Sequence, residues 1–119
     1  MLAGLKRRRA ELLARAVRDN WADCLSTLPR LLERDAEASL HFWFSNFDGM
    51  RRELFPRLVA AYADWAEGRG RESLERAVAE GAAHWGEVAA EMRQLFETQG
   101  SGVDAEFERR THDLARIAC

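Results

Sequence analysis

Leu40-His41-Phe42-Trp43-Phe44-Ser45-Asn46-Phe47 places four aromatic rings within six residues, too many for one helical stripe. At about 100° per residue, Trp43 and Phe47 fall on one side while Phe42 and Phe44 lie about 200° apart. A helix carrying this run must bury more than half its circumference, either centrally in a bundle or against a second chain.

The flanking sequence is helical in character. Ala, Leu, Glu and Arg dominate, Pro and β-branched residues are scarce, and no segment alternates apolar and polar residues with strand composition. Upstream, residues 29–46 read as one helix with Leu32, Ala36, Leu40, Trp43 and Phe47 as its stripe. Leu31, Ala38 and Phe42 form a second apolar edge, and His41 belongs to the solvent face. Residues 3–27 read as the preceding helix, with Leu13, Val17, Asn20, Cys24 and Leu28 on one side and Trp21 at its edge. Ser26-Thr27 before Pro29 predicts a break between the two.

Downstream, Asn46-Phe47-Asp48-Gly49 reads as a turn, and a third helix runs to Ala66 with Leu54, Leu58, Tyr62 and Trp65 inward. Pro56 marks either its true start or a kink after a short lead-in, and Gly68-Arg69-Gly70 ends it. Residues 71–98 carry the clearest pattern: Leu74, Val78, Gly81, Trp85, Val88, Met92 and Leu95 recur at spacings of 4 and 3. Gly81 beside Trp85 predicts close approach of a neighbouring ring or backbone. Gly100-Ser101-Gly102 is a flexible joint before a short helix over 103–117. The expectation is one all-α domain over 1–119, a four-helix antiparallel up-down bundle with a short fifth C-terminal helix over 102–119.

Composition bounds the function. The chain of 119 residues is long enough to bury about two-thirds of its unfolded surface. Its net charge of −2 exerts no global pull on nucleic acid or anionic lipid. Residues 1–30 nevertheless carry seven basic against three acidic side chains, leaving −6 on the remainder. Lys6, Arg7, Arg8 and Arg9 form a candidate basic patch. It is a single run without interleaved aromatics, and reads as a solvated end rather than a nucleic-acid arm; pairing with an acidic surface, including that of a second copy, is the intermediate option. Cys24 and Cys119 are too few and too far apart for a disulfide framework or a zinc site. No signal-peptide or membrane-spanning pattern occurs, so a cytoplasmic location is expected. The Arg-, Ala- and Leu-rich composition is bacterial in character.

Three Glu–His pairs at i,i+4 (Glu37–His41, Glu80–His84, Glu108–His112) read as exposed helix pairs; di-iron bundles use i,i+3 spacing instead. No metal or other cofactor is expected. His84 is the one candidate ligand or phosphorylation site, because Gly81, Ala82, Ala83 and Gly86 leave it sterically open. Phosphotransfer bundles present such a mid-helix His, but follow it with a cation where this chain has Glu87. Trp21, Phe42-Trp43-Phe44 and Arg52-Glu53-Leu54-Phe55-Pro56 together resemble the early helices of bacterial globins. That resemblance implies a haem-binding bundle with His84 as the ligand; His41 is the alternative. The interval from Phe55 to His84 is too short for the two helices that intervene in that family.

No nucleophile–base pair, phosphate-cradling Gly-rich loop or metalloprotease motif occurs, so no catalytic residue is assigned. The leading expectation is a non-enzymatic interaction module, an accessory, adaptor or regulatory subunit that self-associates. Leu31, Ala38, Phe42 and Phe44 are its candidate partner-binding residues.

Overall fold

A computed structural model describes residues 2–99, with side chains described over 8–95. The expected C-terminal helix over 103–117 and Cys119 lie outside the described residues. What is described is all-α, with no strand.

The first helix, α1 (Leu2–Ala22), continues through a widened turn (Asp23–Thr27) into α2 (Leu28–Glu33). The break expected before Pro29 is absent, since Thr27 (φ −62°, ψ −55°) and Leu28 (φ −69°, ψ −43°) are both helical. Leu28 N–H donates to Asp23 O, five residues back. Proline lacks an N–H, and its ring would collide with the carbonyl four residues earlier; widening the turn relieves both faults.

The real break comes after Glu33. Asp35 adopts φ 53°, Ala36 N–H donates to Leu31 O, and Asp35 N–H donates to Leu32 O, both at 3.1 Å. This is a helix-ending Schellman arrangement with Asp in the position glycine usually fills. Arg71 strengthens it by donating from Nη2 to Leu32 O at 2.7 Å. The helix expected over 29–46 is therefore divided between α2 and α3 (Glu37–Ser45).

After α4 (Gly49–Glu53), α5 (Pro56–Ala66) starts on its proline, so both a short lead-in and a true start at Pro56 occur. Gly68, at φ 84°, ends α5 as expected, with Arg69 N–H on Asp64 O and Gly68 N–H on Trp65 O. α6 (Glu72–Gln99) then runs antiparallel to α1 and α2: Leu32 meets Arg71, Cys24 faces Gly81, and Trp21 faces Gly86. All seven residues of its expected seam are buried, as are Leu13, Val17, Asn20, Cys24 and Leu28 opposite. A Cβ on Gly81 would stand 2.6 Å from Phe55 Cζ and 2.7 Å from Cys24 Sγ, which accounts for the glycine beside Trp85.

Helix lengths limit the bundle. At about 1.5 Å per residue, the run from Leu2 to Glu33 is about 48 Å long, whereas α3 and α5 are each under about 17 Å. The molecule measures 47 × 25 × 20 Å. The short helices therefore flank only part of the α1–α6 pair; the described residues bear out the all-α class without a clear four-helix antiparallel up-down arrangement.

Candidate functional site

Three residues turn α3 inward. Leu40, Phe44 and Phe47 are each at most 6 % exposed, at spacings that keep one face of the segment against the core. The Phe44 ring stacks on Tyr62 of α5 at 4.1 Å, and Trp43 stacks on Phe47 at 4.9 Å while meeting Phe44 edge-on. His41 is exposed, as expected, and bonds through Nδ1 to the Tyr62 hydroxyl at 2.8 Å, lying 4.7 Å from the Trp65 ring. α3 thus grips α5 through rings.

Phe44 is accordingly core, correcting its assignment to a partner-binding edge. Leu31 is half-buried and Ala38 exposed. Phe42 is 71 % exposed, more than the other exposed large apolar residues among those described, Leu12 and Leu25. Of the four expected contact residues, the outer surface keeps Phe42 and Ala38.

The C-terminal end of α3 is held by a polar cluster that the sequence pattern did not reveal. Asn46 N–H turns to Trp43 O, and the Asn46 amide Nδ2 donates to the Phe42 carbonyl at 2.9 Å in its place. Ser45 Oγ donates to His41 O. Arg51 of α4 donates to Asn46 O at 2.8 Å and to Asp23 Oδ2 at 3.3 Å, and its guanidinium lies 5.6 Å from the centre of the Phe47 ring. Its own carbonyl accepts from Asn20 Nδ2 at 3.2 Å. Burial pushes the Asp23 carboxyl above its usual range, against the opposing pull of Arg51 and a hydrogen bond from Thr27. The available signal was Asn20, a polar residue on an apolar stripe, which requires a buried partner. Nothing in the sequence identified that partner as a backbone carbonyl of α4.

His84 is half-buried rather than open. Its Nε2 is buried without a hydrogen-bond partner, as is Nε1 of the neighbouring Trp85, and burial lowers the imidazole pKa against the pull of Glu87. A ligand or phosphoryl group at Nε2 would first have to displace the side chains that cover it. Two of the expected Glu–His pairs are redirected: His41 bonds Tyr62, and Glu80 pairs with Arg57 at 2.7 Å, while Glu108–His112 lies outside the described residues. Among the described residues, no group of three His, Cys, Asp or Glu side chains could hold a metal. Arg8 and Arg9 are exposed; the Lys6 and Arg7 side chains lie outside the described range.

Two open grooves flank these elements. One of about 720 Å³ lies between α4 and α5, lined by Met50, Pro56, Val59, Ala60 and Ala63 with Arg52 and Glu53. The other, about 390 Å³, lies between α2 and α6 and includes Cys24, Pro29 and Val78. Burial pushes the Cys24 thiol up to about 12, so it stays protonated at neutral pH and is a poor nucleophile. Among the described residues, no helix is long and apolar enough to cross a membrane.

Among known proteins, a family profile described as "Family of unknown function (DUF6866) C-terminal domain" matches residues 1–113. No curated protein and no solved structure matches.

Proposed function

We propose that this chain, which belongs to the DUF6866 C-terminal-domain family, is a non-enzymatic protein-interaction module whose contact surface is the outer face of α3. The carrying observation is Phe42, 71 % exposed on a helix whose other aromatic residues are engaged by the fold. An exposed Phe keeps about 1.5–3 kcal/mol of burial free energy unrealised. It is also rigidly presented. Ring stacking on Tyr62 and the Arg51 cluster fix the helix, so docking costs little backbone entropy. Buried aromatic anchors of this kind carry much of the binding energy in protein interfaces.

Binding rather than chemistry is supported by what the hydroxyls and the thiol do. Ser45 bonds a backbone carbonyl, Ser73 bonds Asp64, and Cys24 is protonated and covered. An accessory, adaptor or regulatory role in a reducing compartment such as the cytoplasm follows as part of this proposal.

The test is a photo-crosslinking amino acid at position 42, irradiated in cells that make the protein. A discrete protein adduct is expected there, with none from the same probe at exposed Arg76 on α6. Absence of an adduct at position 42 overturns the reading.

A further inference from the structure

We propose that the partner on this face is a second copy of the chain, with the Phe42 ring of each copy seated in the α4–α5 groove of the other. This rests on the interaction-module reading and adds the occupant and its seat.

Charge is the first argument. Between Glu37 and Asp48, ten consecutive residues carry no Asp, Glu, Lys or Arg, in a chain where 32 % of residues are charged. Around Phe42 the exposed neighbours are Ala38, Ser39, His41, Ser45 and Asn46, none of them Asp, Glu, Lys or Arg. Near a two-fold axis a side chain faces its own copy, so a charge there meets the same charge. An uncharged aromatic face escapes that penalty. A partner recognised through charge would instead select acidic or basic residues at this place.

Shape is the second. The groove of about 720 Å³ is lined by small Ala60 and Ala63 together with Met50, Pro56 and Val59, leaving room for a ring against apolar side chains. Its two charges, Arg52 and Glu53, are of opposite sign and cancel. Continuity is the third. Phe42 stands one turn before the end of α3, Asn46 is bonded to its carbonyl, and Asp48 leads into Gly49 and Met50 at the groove. Knob and groove therefore sit close along the chain, which favours reciprocal exchange between two copies over open-ended stacking.

The test is molar mass by light scattering on the full chain. At high micromolar concentration, wild type is expected at twice 13.6 kDa. Phe42→Glu and Ala60→Lys, both at exposed helical positions, should each give monomers with unchanged helical circular dichroism. Phe42→Glu should raise the dimer dissociation constant by at least about thirtyfold. Mixing the two variants should restore a dimer. In that pair an intact ring meets an intact groove, and the introduced carboxylate meets the introduced ammonium.

A wild-type monomer at every concentration overturns the second-copy inference, as does an Ala60→Lys dimer as tight as wild type or a mixture that stays monomeric. The broader reading fails separately. A crosslinked adduct at position 42 with a protein of different mass keeps the interaction module and removes the self-pairing. Lack of any adduct removes both.

Discussion

A methyl group added at Gly81 has nowhere to go, because Phe55 Cζ and Cys24 Sγ would both lie within 2.7 Å of it. Alanine gains about 1 kcal/mol of helix propensity over glycine, but overpacking a tight core costs about 1–3 kcal/mol. Phe55 and Cys24 are themselves buried and cannot swing aside, so strain outweighs propensity. Gly81→Ala is expected to lower stability in urea denaturation; a gain would mean that α6 can move away from Phe55. Asp23 is the second informative residue. Its carboxyl takes up a proton at higher pH in the fold than its unfolded value of 3.8, chiefly because burial disfavours the charge. In that window the native state binds more protons than the unfolded one, so the Asp23 contribution to stability falls as pH rises. The stability of wild type relative to Asp23→Asn should decline as pH climbs from 3.8 through the raised value, measured by urea midpoints across the acid range. Gly81 was legible in the sequence because a glycine inside a regular seam, beside a Trp, implies a neighbour packed too close for a side chain. The Arg51 cluster was not, because its partners lie up to 31 residues apart and include backbone carbonyls that no side-chain pattern encodes.

Elements differ in how much of their boundary is written locally. The seam of α6 was readable because seven apolar or small residues at helical spacing admit one period. The α1–α2–α3 region misled because Pro29 satisfies two rules at once: it can open a helix, or sit within one whose turn widens around it. The true end falls at Asp35, where no glycine announces it. Asp in the left-handed region carries strain that glycine lacks, of about 1 kcal/mol. Asp35 also pairs with Arg71 at 3.4 Å, but that contact is solvent-exposed and worth little. Asp35→Gly is therefore expected to stabilise the protein by about 0.5–1 kcal/mol in chemical denaturation. A loss would mean that the Arg71 contact, rather than backbone conformation, sets the α2–α3 corner.

For the whole molecule, the aromatic run on α3 is divided between two tasks. Phe44 and Phe47 close the core against Tyr62 and Trp43, whereas Phe42 leaves the fold. The sequence puts Leu40 and Phe47 on the inward stripe, His41 on the solvent face and Phe42 on an uncovered apolar edge, as the fold has them; it misplaces Phe44, because no stripe through residues 29–46 shows that Tyr62 of α5 covers that ring. Phe44→Ala should cost about 3–5 kcal/mol, as deletion of a core ring does. Phe42→Ala, at protein concentrations where chains are separate, should change stability by less than about 0.5 kcal/mol. Concentration then separates the monomer from the pair. Association stabilises the folded state by mass action, so the wild-type melting temperature should climb as protein concentration is raised, while that of Phe42→Glu stays flat. A flat wild-type curve, or parallel climbs in both proteins, would place the self-association surface somewhere other than α3.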